Sequence, residues 1–181
     1  MNKVYRITHI EDKFYLEFHN LYSVSFPVFE LRDKQQQIEA LNNEKYHLDC
    51  FLDESGENLE AFIAYWSFDD YIYIEHLAVN VNLRGKNIGS TILSRFLKST
   101  SKKVILEIDP LVDEISKKRY GFYRKLGFVV NEYEHFHPAY NQAYRPHKLL
   151  VLSYPVQIQA DRYHVFYDDL CRVVMSGDNL H

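Results

Sequence analysis

The sequence has little cysteine, only Cys50 and Cys171 in 181 residues. Neither has metal-ligand spacing, and one distant pair makes no disulfide framework, so both are expected as free thiols in a reducing cytosol. No stretch approaches the roughly 18 consecutive apolar residues of a membrane span. The opening Met1-Asn2-Lys3-Val4-Tyr5-Arg6 carries no apolar leader core. A cytoplasmic chain with no membrane partner is the expectation. A basic excess is also lacking: 21 Lys and Arg face 25 Asp and Glu, a net charge of -4. Nucleic acid is therefore not an expected partner, because its phosphates call for clustered cations. Repeats, linkers and low-complexity segments are absent as well.

What is present is the composition of a folding chain, 46% hydrophobic and 25% charged. The length suits one domain of roughly 100 to 200 residues. The expectation is a single domain over 1–181, with 155–181 as a C-terminal helical extension. Aromatics reach 15%, with 15 Tyr, and cluster late, which suits either a lined pocket or a Tyr-rich surface.

Hydrophobic periodicity predicts a strand at 3–9, helices at 11–22 and 32–41, and a hairpin from 46–52 and 61–68. A strand apolar on both faces follows at 71–81, then a helix at 88–98 and a buried strand at 104–109. Another helix is predicted at 114–126, closed by Gly127, with a strand from Phe128. An ordered loop is expected over 131–147, a strand at 148–154, and a last helix on the stripe Tyr163, Phe166, Tyr167, Leu170 and Val174.

The most informative stretch runs from the strand ending Leu77-Ala78-Val79 into Arg84-Gly85-Lys86-Asn87-Ile88-Gly89-Ser90. A strand feeding a glycine-bearing turn into a helix leaves backbone N–H groups unpaired at the positive end of the helix dipole, an anion site. Arg84 and Lys86 add charge, while Gly85 and Gly89 permit close approach. An ordinary helix start with solvated basic residues fits the same stretch. It is no P-loop, since no Lys precedes Ser90-Thr91 after Gly89.

One strand and helix further on lies Phe122-Tyr123-Arg124-Lys125-Leu126-Gly127-Phe128. With the earlier turn it resembles the GNAT superfamily of acetyl-CoA-dependent N-acetyltransferases. That family's cofactor motif runs Arg or Gln, two residues, Gly, one residue, Gly or Ala; its second motif is Phe-Tyr-x-x-Leu-Gly-Phe. Arg84 and Gly89 match the first, but Asn87 stands where the family has its first Gly. Asn is the non-glycine residue that best tolerates positive φ. The likeness spans about residues 60 to 130.

The resemblance implies a mixed, mostly antiparallel α/β sheet of about seven strands, with helices on both faces and a splay at its centre that admits acetyl-CoA. It implies that Leu77 and Val79 hold the pantetheine arm through their backbone, that an N–H near Leu77 stabilises an oxyanion, and that Tyr123 protonates the departing thiolate. The amine acceptor, a small molecule or peptide, would attack directly, without a covalent enzyme intermediate. Neither cysteine lies near the motifs.

Two strand carboxylates, Glu75 and Glu107, compete for the role of base, unless no single base is needed. Each must be functional or salt-bridged if buried. Period-two alternation puts Glu75 on one face with Tyr73 and Leu77, provided no bulge intervenes. His135 and His137 flank Phe136, but no further ligand cluster supports a metal. With Tyr133, Tyr140 and Tyr144 these residues wall either an acceptor pocket or a packed aromatic lid. His76 reads as a hydrogen-bonded core or rim residue. A rival reading is a CoA-binding sensor without chemistry, which Asn87 favours and Tyr123 with Glu75 disfavours. The apolar last helix offers a face on which a second copy could dock as a homodimer.

Overall fold

The two longest strands are rich in β-branched and aromatic residues. A computed structural model of the chain describes residues 3–176. The chain divides into two compact units, Met1–Lys102 and Lys103–His181.

In the first unit, β1 (Lys3–Ile7), β2 (Tyr46–Leu52), β3 (Leu59–Ser67) and β4 (Tyr71–Val79) lie in sequence order, each antiparallel to the next. Asp53 sets the β2–β3 turn: its Oδ1 accepts the backbone N–H groups of Gly56 at 2.9 Å and Glu57 at 3.1 Å. Three helices, α1 (Tyr15–Ser25), α2 (Lys34–Leu41) and α3 (Ile88–Lys98), cover the strands.

Register decides which face each helix covers. Ala64 pairs with His76 but Tyr65 pairs with Ile74, so β4 carries one extra residue, Glu75, in a β-bulge. Cross-strand partners share a face. Trp66, Ala64 and Phe62 therefore lie with Tyr73, His76 and Ala78, and Tyr65 and Ile63 with Ile74 and Leu77. The expected sharing of one face by Tyr73, Glu75 and Leu77 is thus corrected: the bulge breaks the alternation and puts Tyr73 and Leu77 on opposite faces. Phe18 of α1 meets Phe62 edge-on at 4.8 Å. On the other face Phe96 of α3 meets Tyr65 at 4.9 Å.

The first helix begins later than its apolar spacing suggests. Asp12 Oδ2 accepts the N–H groups of Thr8 at 2.6 Å and His9 at 3.1 Å, which holds residues 8–12 as a turn until Tyr15. A side chain that captures local backbone donors competes with helix formation.

In the second unit, β5 (Lys103–Ile108), β9 (Leu150–Tyr154) and β6 (Val129–Asn131) form an antiparallel run in that order. Helix α4 (Glu114–Lys125) opens with a reciprocal capping box between Asp113 and Ser116. It closes at Gly127, whose φ of 95° suits glycine. Within the expected loop, β7 (Phe136–His137) pairs with β8 (His147–Lys148). Helix α5 (Ala160–Asp169) runs into a π-helical turn, Leu170–Val174, and buries Tyr163, Phe166, Leu170 and Val174. The α/β reading with seven main strands, mostly antiparallel, therefore holds as four strands plus three. The proposed extension over 155–181 continues past the described residues.

Phe18 is 1% exposed and stacks on Tyr22 as well as meeting Phe62. Phe18→Ala is expected to cost about 3–5 kcal/mol of stability, read as a lower urea midpoint with an unchanged slope.

Candidate active site

The turn into α3 follows a short 3₁₀ turn at Val81–Leu83. Gly85 takes a φ of 80°, and nothing lies within 4 Å of where its Cβ would stand. Asn87 is the N-cap of α3 with φ 60° and ψ 11°, and its side chain makes no capping hydrogen bond. An N-cap side chain normally sits in extended backbone and covers the first amides. Left-handed Asn87 contributes only its carbonyl, which accepts the N–H of Thr91 at 3.0 Å. The first-turn N–H groups of Ile88, Gly89 and Ser90 are left without a cap. Arg84, Lys86 and Asn87 are exposed around them. Positive charge, open amides and a glycine with empty space over it fit a diphosphate.

Leu77, Ala78 and Val79 end β4, paired with Ile63, Phe62 and Ala61. Ala78 is buried and its two neighbours are half-buried.

Glu75 is fully engaged. Its Oε1 accepts Arg32 Nη2 at 2.9 Å and Nε at 3.1 Å, and its Oε2 accepts Trp66 Nε1 at 2.7 Å. The carboxylate is 0% exposed. Arg32 is anchored too, its backbone N–H donating to the Tyr22 hydroxyl at 2.9 Å. His76 Nε2 bonds the Glu30 carbonyl at 3.0 Å, and its ring packs edge-on against Tyr22 and Phe26. The bulge thus clamps the segment between α1 and α2 onto the strands. Tyr73, a candidate pocket residue, is buried on the Trp66 face.

Glu107, in β5, keeps different company. His135 Nε2 hydrogen-bonds its Oε1, and His137 Nε2 lies 3.8 Å from its Oε2. His135 Nδ1 meets the Tyr163 hydroxyl at 3.0 Å, and that hydroxyl also reaches the Glu134 carbonyl at 3.3 Å. His137 Nδ1 donates to the Pro138 carbonyl at 2.6 Å, and its ring stacks on Tyr140. His135, His137 and Tyr140 are all buried. Tyr133 stacks on Tyr163 at 4.1 Å and donates to the Ile158 carbonyl at 2.8 Å. Burial pushes the Tyr163 phenol up to about 12.

The partner types separate the two carboxylates. Arg32 and Trp66, which hydrogen-bond the two oxygens of Glu75, can only donate, so a proton on Glu75 would displace one of those bonds; His76 Nδ1 stands farther off, 4.0 Å from Oε1. Histidine and tyrosine both donate and accept. The surroundings of Glu107 therefore tolerate a change of proton count.

Tyr123 lies in the last turns of α4, half-buried, its ring edge-on to Phe122 at 5.0 Å and Phe128 at 5.6 Å. Burial raises its pKa to about 12, opposed by Arg119. Its hydroxyl has no hydrogen-bond partner among the described residues. Cys50 is buried and Cys171 exposed, both as free thiols. Among the described residues no group of three or more His, Cys, Asp or Glu could hold a metal.

Sequence reasoning missed Arg32, Trp66 and Tyr163, the residues that give the two carboxylates their characters. Nothing local marks the first pair, which lie 43 and 9 positions from Glu75. Tyr163 was visible only as one member of an apolar helical stripe.

The sequence profile of the Acetyltransferase (GNAT) family matches residues 15–128. The chain belongs to that family. It is also 30% identical over 129 residues, 68% of the chain, to YjbC of Bacillus subtilis (strain 168), and the match spans 58% of that relative's length. Among solved structures, a GNAT-family protein of Bacteroides thetaiotaomicron superposes with a TM-score of 0.87 at 24% identity, covering 97% of this chain and 99% of that one. Arabidopsis thaliana Naa50, in complex with the bisubstrate analogue CoA-Ac-MVNAL, gives 0.57 at 22% identity over 83% and 97%. The GNAT profile ends at Phe128, so His135, His137 and Tyr163 lie outside the matched region. No described helix is long and apolar enough to cross a membrane.

Arg32→Met would leave the Glu75 carboxylate buried without its cation. It should destabilise the protein by about 3–5 kcal/mol, measured by urea unfolding, while the double variant Arg32→Met with Glu75→Leu recovers much of the loss.

Proposed function

We propose that this protein transfers an acetyl group from acetyl-CoA to the amine of a small molecule or peptide. The observation that carries the reading is the uncapped start of α3, where left-handed Asn87 leaves the amides of Ile88, Gly89 and Ser90 open between Arg84 and Lys86. Those amides and cations would hold the cofactor's diphosphate, and the backbone of Leu77, Ala78 and Val79 would hold its pantetheine arm. The cofactor, when bound, supplies the acetyl thioester.

Tyr123 would serve the leaving sulfur. Raised to about 12 by burial, its phenol keeps its proton throughout the neutral range. A thiol's reference value, about 8.5, lies well below that, so the hydroxyl would donate a hydrogen bond to the sulfur as charge develops there, while full proton transfer would run uphill. Of the two carboxylates, Glu107 would accept the amine's proton and Glu75 would stay ionised as a strut, a choice that rests on their partner types. The Naa50 complex, which joins CoA to a peptide in one analogue, supports an amine acceptor by family likeness.

Calorimetry with CoA tests the cradle. Gly89→Asp sets a carboxylate among the open amides and should weaken CoA binding at least about tenfold, by charge repulsion of more than about 1.4 kcal/mol; an unchanged affinity would overturn that placement. Thiol release from acetyl-CoA across a panel of amines and peptides tests the chemistry. Tyr123→Phe should lower kcat about 10²-fold with little change in CoA affinity. CoA binding by the wild type without thiol release for any acceptor would assign the sensor reading instead.

A further inference from the structure

Acetyl transfer to an amine releases a proton, and the second unit holds Glu107, His135 and Tyr163 in one buried hydrogen-bonded chain. Glu107 is 5% exposed on its side chain and His135 0%. Polar groups so deeply buried need a hydrogen-bond partner in every state they visit. Two complete patterns exist here. In the first, His135 Nε2–H donates to the ionised Glu107 Oε1, and the Tyr163 hydroxyl, 3.0 Å away, donates to Nδ1. In the second, one more proton is present. Nδ1–H donates to the Tyr163 oxygen, the Tyr163 hydroxyl turns to the Glu134 carbonyl at 3.3 Å, and a proton stays between Nε2 and Oε1. Nδ1, Nε2, Oε1 and the Tyr163 hydroxyl each keep a partner in both patterns.

We propose that Glu107, His135 and Tyr163 act as one proton-holding array for the reaction, with His135 and Tyr163 as positioning residues that let a buried Glu107 gain and lose a proton. The inference rests on the acetyl-transfer reading. In the balanced step the nitrogen–carbon bond forms and the carbon–sulfur bond breaks. One proton leaves nitrogen for the array, and the sulfur leaves as a thiolate that accepts a hydrogen bond from the Tyr123 hydroxyl. The array then releases its proton to solvent, and solvent protonates the thiolate.

Titratable and charged groups surround the array from several elements, among them Asp109, which is paired with Arg119 at 2.6 Å and acts on His147. His137 faces Glu107 from β7, and its own Nδ1 is committed to the Pro138 carbonyl. From β8, His147 stands 5.5 Å from the His137 ring. From α5, Tyr167 lies edge-on to His135, with Cys171 beside Tyr167 one turn on. Tyr133 closes the far side of Tyr163 by stacking.

The test follows the ring nitrogens of His135 by ¹⁵N NMR against pH in the full-length protein, beside the pH profile of kcat/KM. Expected for the wild type is an Nε2–H tautomer at high pH and a single proton uptake on lowering pH. Tyr163→Phe keeps the stacking on Tyr133 but removes the acceptor for Nδ1–H, a charge-assisted bond in the protonated state. Its uptake midpoint should fall by about one pH unit, a tenfold loss of proton affinity, and the acid limb of kcat/KM should move with it. A purely structural role would lower the Tm and leave both midpoints in place, which would overturn the proposal. So would an NMR midpoint that moves while the kinetic profile stays fixed. A wild type that acetylates no amine would defeat the activity reading, and with it the array's use in catalysis, whatever the NMR shows.

Discussion

The first unit is organised around a buried carboxylate that has to be neutralised. Glu75 is the extra residue of a bulge in an otherwise apolar strand, with no solvent contact for its charge. An unpaired charge there would be prohibitive, so the chain brings Arg32 and Trp66 to it. Arg32 sits between the 3₁₀ turn at Val28–Glu30 and α2, and its own amide is held by Tyr22 of α1. One ion pair thereby fixes the first two helices against β4. His76, next in the strand, repeats the tie through the Glu30 carbonyl. Alternation fails at this point, and the failure directs Leu77 to one face and Tyr73 to the other.

The start of α3 shows the opposite strategy, polar groups left open. Most helices satisfy their first amides with a side chain, as α2 does with Asp33 and α4 with Asp113. In α3 the N-cap residue is turned left-handed and its amide side chain does not reach back. Asn at φ 60° is tolerable where a β-branched residue would be strongly disfavoured. The conformation that glycine would supply in this family's motif is kept by Asn87. Of the five α-helices among the described residues, α2 and α4 carry capping boxes and α1, α3 and α5 have no side-chain cap; α3 alone opens on a left-handed N-cap.

Much of this was legible in the residues. The helix at 88–98, the hairpin strands and the cap at Gly127 follow from apolar spacing and glycine placement, because these are local effects. The left-handed Asn87 followed from one residue's backbone preference. Three things were not local. The bulge at Glu75 depends on how β3 pairs with β4, which periodicity within β4 cannot reveal. The delayed start of α1 depends on Asp12 capturing the amides of Thr8 and His9. The identities of the carboxylates' partners depend on contacts across 9 to 43 positions. Burial predicted that Glu75 and Glu107 would be paired; only the tertiary structure shows what each is paired with.

That difference in partners bears on how a buried acid can do chemistry. A carboxylate whose hydrogen bonds come from a guanidinium and an indole, neither of which can accept, loses one of them if a proton is forced on it. A carboxylate whose partner is an imidazole, itself backed by a rotatable hydroxyl with a second acceptor in reach, has two states of comparable hydrogen bonding. Proton transfer at neutral pH needs the second kind, because the group must return to its starting state in every turnover. Glu75 and Glu107 are the same residue type at similar depth in neighbouring stretches of sequence. The amphoteric partners of Glu107 come from the segment after Phe128, where the family profile stops, although the Bacteroides thetaiotaomicron structure superposes over 97% of the chain and so shares the fold of that segment.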